Sequence, residues 1–219
     1  MGRQRIQPRT EPNTGLDRYA RCVAISTGVD QIRTVSRLAL ATALVTLLAV
    51  VSLIIFYAVG GPFGFINDVA NGVIGLLSLA LAWLWVRNRR SGLSTLATAV
   101  AALGAIVMVI GSLLILLDIT GWYLAGLVSS VGNALIGIWL LIANRLHRRA
   151  AELPRGLIML GMTTGIFMII GWLAIAGVIA RIDDPQLAPW YVSAGLLNWM
   201  GTYLLYPIWC LWLSRRSGG

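Results

Sequence analysis

The chain has 219 residues, 58% of them apolar and only 11% charged, with a mean hydropathy of +0.82. A water-soluble globule is excluded, because a folded chain of this size keeps much of its surface in water and this one has too few polar residues to cover it. The formal net charge of +9, from 17 arginines and no lysine, would point to nucleic acid only as a patch on a soluble fold, and here the arginines are instead spread between apolar runs.

Residues 1–15 combine arginine, proline, glycine and polar residues without apolar periodicity, so a disordered tail is expected. From Leu16 onward, Leu16, Tyr19, Ala20 and Val23 recur at helical spacing and Asp17 pairs with Arg21 at i,i+4, which predicts a short interfacial helix or a stiff lead-in to the first span. The organisation read from this is an arginine-rich cytoplasmic leader over 1–34, a transmembrane domain over 35–214 and a tail over 215–219. Glu11, Asp17 and Asp30 set the leader apart from a transit peptide, and the first apolar run is too long for a secretory signal.

Six spans are expected, at about 38–59, 66–86, 93–117, 122–142, 157–180 and 190–213. Each approaches or exceeds the roughly 20 apolar residues that cross a bilayer. Gly60-Gly61-Pro62, Asp118-Ile119-Thr120-Gly121 and the proline-stiffened 181–189 stretch break the chain between members of each pair. Pro207 inside the last span predicts a kink or a freed carbonyl at Tyr203.

Sixteen arginines fall on one side of these spans and only Arg181 on the other. This is the positive-inside pattern, and it predicts a prokaryotic inner (cytoplasmic) membrane protein with both termini cytoplasmic and anionic lipid head groups as natural contacts. Nucleic acid is not an expected partner.

Asn133-Ala134-Leu135-Ile136-Gly137 has near-copies at Asn71-Gly72-Val73-Ile74-Gly75 and Asn198-Trp199-Met200-Gly201, each followed by an apolar run and arginines. Spans three and five also match, Ile106–Gly111 with Ile166–Gly171. The fold class read from this is an all-α membrane protein of six helices in three parallel hairpin repeats. An amide in hydrocarbon must find a partner. Asn71, Asn133 and Asn198, with Gly75, Gly137 and Gly201, therefore mark either helix-packing contacts or a polar site where the three amides converge. Gly121, Ala125, Gly126, Ser129 and Ser130 in span four, and Gly161 and Gly165 in span five, form small-residue faces that let a neighbouring backbone approach.

Catalytic chemistry lacks its components. Ionisable groups, the usual mark of proton relays and intramembrane catalysis, are missing from the span interiors, and Asp68, Asp118, Asp183 and Asp184 stand at span ends, where solvated caps are expected. Cys22 and Cys210 fall in different settings and His147 is the single histidine, so no disulfide, metal or other cofactor is expected. The reading is a non-enzymatic membrane module that packs with itself or with another membrane protein. The alternative is a passive channel or uniporter for a small uncharged solute, lined by the three asparagines.

Overall fold

The structure, a computed structural model, describes the backbone of residues 16–87, 91–150 and 153–216 and the side chains of 30–85, 91–150 and 153–215. The expected disorder of 1–15 and the end of the tail lie outside these residues.

Helix α1 is continuous from Leu16 to Val59, 44 residues, so the lead-in and the first span form a single rod. At 1.5 Å per residue it is roughly 65 Å long, about twice the thickness of a hydrocarbon core. Helices α2 (Phe63–Arg87), α3 (Gly92–Leu116) and α4 (Trp122–Ala150) follow as unbroken passes. The fifth pass is α5 (Arg155–Ile169), a 3₁₀ stretch over Ile170–Ala174 and a short α6 (Ile175–Ile179). The sixth is broken: α7 (Trp190–Gly195) gives way to a π-helical turn over Met200–Leu205 and then α8 (Tyr206–Arg216). Among the described residues five helical stretches are thus long and apolar enough to cross a membrane, and the sixth pass is not one helix. Pro207 has no N–H and its ring crowds the preceding turn, which accounts for the π turn just ahead of it, while α7 ends further upstream at Gly195, where i to i−3 bonds take over.

Each pass packs on the next, and the last returns to α1, closing a ring of six. Ser36 Oγ donates to the Ser214 carbonyl at 2.6 Å across that closing seam. Helix α4 is the hub: 67% of its most apolar window is buried, against 33% for α1, α3 and the fifth pass. The remainder of the apolar surface faces outward, as Leu44, Ile54, Leu96, Ile106, Ile166 and Leu204 do, which is the arrangement lipid requires.

The turns at the hairpin end follow from backbone stereochemistry. Gly60 and Gly61 take φ of +71° and +78° between α1 and α2, where a Cβ would be strained. Asp118 and Arg181 take the same left-handed conformation at φ 53° and 52°. In each of these two turns a backbone N–H reaches back to close the preceding helix, Ile119 N to the Leu114 carbonyl at 2.9 Å and Ile182 N to the Gly177 carbonyl at 3.0 Å.

Hydroxyls within the passes are satisfied locally. Thr42, Thr46, Ser52, Ser78 and Thr164 each donate to the carbonyl four residues earlier at 2.7–2.8 Å, so they cost little in lipid. The arginine-bearing half of the bundle is closed by rings: Trp85 meets Trp139 edge-on and Trp209 and His147 at a tilt, with centroids 5.6, 5.7 and 4.5 Å apart. Trp139, Trp209 and Tyr206 are fully buried, and Ser78 Oγ pairs with the Tyr206 hydroxyl at 2.9 Å.

Candidate functional site

Toward the hairpin end the same bundle encloses a polar cavity of about 70 Å³. Polar side chains come to it from three passes: Asn67, Asp68 and Asn71 from α2, Ser129 and Asn133 from α4, and Tyr203 from the π turn. Its aromatic walls are Phe56, Tyr57, Trp122, Tyr123 and Trp199. Asn71 lies eight residues into α2 and Asn133 eleven into α4, so the cavity reaches roughly 12 to 16 Å below the helix starts. Between it and the arginine-bearing end lie Ile74, Ile136, Tyr206, Trp139 and Trp209, all buried. The cavity is therefore a pocket rather than an open pore.

A hydrogen-bond network spans the pocket. Tyr203 Oη donates to Asn71 Oδ1 at 2.8 Å and lies 3.2 Å from Asn67 Oδ1. Residues 67 and 71 are one turn apart, so α2 presents both amides on one face. The Asn67 amide also lies beside the Asp68 carboxylate. Asp68 is half-buried, not a fully solvated cap, and its backbone carbonyl accepts from Ser112 Oγ at 2.6 Å, which fixes α2 against α3. On the α4 side, Asn133 Oδ1 and the Tyr123 hydroxyl are buried and have no protein partner.

The three asparagines singled out by the sequence part company here. Asn71 and Asn133 line one cavity, whereas Asn198 does not. Asn198 is fully buried, donates from Nδ2 to the Ser130 carbonyl at 3.3 Å, and fills the space where a Cβ on Gly171 would lie. Its Oδ1 is buried without a partner, and its other contacts are with neighbouring helices. The break in the sixth pass puts Trp199 and Tyr203 at the cavity and turns Asn198 toward α4 and the 3₁₀ stretch.

The glycines and small residues are used inside the chain. Gly75 lies against Ala105 and Met108 of α3; Gly137 and Gly165 face each other across α4 and α5, so that a Cβ added to either would lie 2.8 Å from the other's carbonyl oxygen; Gly201 abuts Met168. Gly161 leaves its Cβ space to Asn144 Nδ2 and Trp209 Nε1. Ser129 occupies the space beside Gly111, and the Ala125 carbonyl lies next to it. Gly121 sits under the Asp183 carboxylate, which accepts from Gly121 N at 2.5 Å and Leu124 N at 3.1 Å and so caps α4 from a distant loop. Gly126 alone of the two small-residue faces has open space around it, at the cavity wall.

Sequence reasoning missed Asn67, Tyr203 and the depth of Asp68. The signal for Asn67 was present, because two amides at i,i+4 in a span mark one polar stripe. Tyr203 carried no signal of its own, since its position depends on where the sixth pass breaks. Among the described residues no three His, Cys, Asp or Glu side chains cluster as a metal site.

The helices' length and apolarity define the class: this is an all-helical, multi-pass membrane protein. No family model matches the chain, and no curated protein or solved structure matches it either.

Proposed function

We propose that the protein binds a small polar solute in the pocket between α2, α4 and the broken sixth pass, and that it does so from the non-cytoplasmic side of the cytoplasmic membrane. The observation that carries this reading is Asn133: its amide oxygen is buried at a cavity wall with no protein partner, across from the donor–acceptor network of Tyr203, Asn71 and Asn67. Leaving a buried acceptor unpaired costs about 1–3 kcal/mol. A ligand that donates to it recovers that cost.

The broken sixth pass supports the same reading. Binding sites in membrane proteins gather at interrupted helices, whose freed backbone and wider turns admit a ligand, and π turns concentrate at functional sites. Orientation follows from charge. Arg33, Arg37, Arg145, Arg148, Arg149, Arg155 and Arg215 belong to the end opposite the pocket, and Arg181 to the pocket end, so the positive-inside rule puts the termini in the cytoplasm, with anionic head groups near the arginines. In this reading three hairpins cross the membrane in the same sense. The site is for recognition rather than catalysis, since a single carboxylate without a second acid or a histidine among the lining residues offers no acid–base pair.

Packing as the chain's whole role, with a second copy or another membrane protein docked on the small-residue faces, is less well supported, because those faces already pack against α3, α5 and the sixth pass.

The test uses Trp122 and Trp199, which line the cavity, as reporters. Tryptophan fluorescence of the protein in nanodiscs is titrated with small hydrogen-bonding solutes: urea, formamide, methylammonium. A saturable change that Asn133→Leu abolishes while the fold is kept supports the reading. A flat response to every solute, equal in wild type and variant, overturns it.

A further inference from the structure

We infer that the solute is a small protonated amine, of the size of ammonium or methylammonium; this rests on the binding role proposed for the same pocket. Asp68 supplies the charge. It is one of the residues lining the cavity, and no arginine or histidine is another. Its carboxylate is close enough to Tyr57 and to the buried Tyr203, both also on the cavity wall, to act on them electrostatically. A half-buried carboxylate in an aromatic pocket that no described arginine or histidine lines favours a ligand that brings a positive charge.

The remaining wall chemistry selects the kind of cation. Five rings besides Tyr203 surround the space, from Phe56, Tyr57, Trp122, Tyr123 and Trp199, and aromatic faces attract a cation without hydrating it. Acceptors are among the polar atoms still available: Asn133 Oδ1 is buried and unpaired, and Asn71 Oδ1 has taken one proton from Tyr203 while an amide oxygen has two lone pairs. A carboxylate, amide oxygens and ring faces together suit a cation rich in N–H donors. Size sets the upper bound. A cavity of about 70 Å³ favours a small ligand over a bulky one.

The experiment measures equilibrium binding of radiolabelled methylammonium to the full-length protein in nanodiscs, with formamide as the uncharged competitor and sodium and potassium chloride as inorganic ones. Wild type is expected to bind methylammonium saturably, with ammonium displacing it and formamide, sodium and potassium failing to do so. Asp68→Asn is expected to weaken binding at least tenfold and Asp68→Glu to keep it within about threefold, with both variants retaining the wild-type melting temperature to show that they fold. Undiminished methylammonium binding in Asp68→Asn overturns the inference, as does displacement by sodium or potassium at concentrations matching ammonium. Binding of formamide that needs Asn133 but not Asp68 overturns the cation inference and leaves the solute-binding role standing. Absence of binding by every probe overturns both.

Discussion

The phenol of Tyr203 reaches across the pocket and donates to the side-chain oxygen of Asn71 over 2.8 Å, tying the last pass to the second. Both residues are buried, and Asn67 Oδ1 lies close enough at 3.2 Å to share the same proton. One hydroxyl thus serves two amides. Tyr203→Phe strands both acceptors, so the expected loss of stability is about 1–3 kcal/mol. It is read as a lower thermal midpoint in detergent or nanodiscs, and an unchanged midpoint would show that the network is not holding the two passes together.

Asn133 and Asn198 should respond in opposite ways to the same change. Asn198→Leu removes a hydrogen bond to the Ser130 carbonyl together with a buried Oδ1 that has no partner, so the expected cost is at the low end, about 0.6 kcal/mol. Asn133→Leu removes a buried oxygen that has no partner, and the fold is expected to be unharmed or more stable while solute binding is lost. Thermal midpoints measured side by side decide it; equal destabilisation would make both asparagines packing residues.

Glycine-to-alanine changes separate crowded positions from open ones. At Gly165 a Cβ would sit 2.8 Å from the Gly137 carbonyl and against Leu141, so Gly165→Ala must push α4 and α5 apart, with a cost of about 1–3 kcal/mol. At Gly126 nothing lies within 4 Å of that Cβ. Gly126→Ala should therefore stabilise the helix by roughly 0.5–1 kcal/mol. A ranking of the two midpoints in the reverse order would contradict the packing described for α4.

Asp183 stands 62 residues from the N–H it accepts at Gly121, and a second bond comes from Leu124 N. Asp183→Ala uncaps α4 and removes a negative charge from its positive end, an expected loss of about 1–2 kcal/mol. Asp183→Asn keeps one acceptor and should recover part of it. Chemical denaturation in mild detergent gives the comparison, and an alanine variant as stable as wild type would mean that solvent caps the helix equally well.

Much of the fold can be read from the residues. Helix ends at Val59, Leu116 and Trp122 fall where Gly60-Gly61, Asp118 and Trp122-Tyr123 announce them, because glycines, turn residues and interfacial aromatics act locally. The five continuous passes follow from apolar length alone. Pro207 announced a break in the sixth pass, but not its shape. The π turn lies upstream of the proline, over Met200–Leu205, and its added width decides which side chains face the cavity.

That explains the mixed record at the site. Asn71 and Asn133 lie on unbroken helices, where spacing along the sequence translates into position, and they meet. Asn198 precedes the π turn and was rotated away, while Tyr203 was brought in. Asp68 sits only five residues from the start of α2, so its position along the chain resembles a solvated cap. Its inclusion in the pocket depends on Tyr57 and Trp122 roofing that end from other helices, their rings 6.4 Å apart edge to face. No local pattern carries such a roof.

The seam between α1 and α8 has a consequence for how the protein is made. The surface of α1 that meets Ser214 and the sixth pass has no partner until α8 has been made, so the first helix must wait in the bilayer with that partner missing. Its hydroxyls permit the wait: Thr42, Thr46 and Ser52 are already bonded to carbonyls of α1 itself. The helix can therefore enter lipid as a self-satisfied rod, and Ser36, whose partner is the Ser214 carbonyl, gains its bond only once α8 lies beside it, like a latch closed by the last pass.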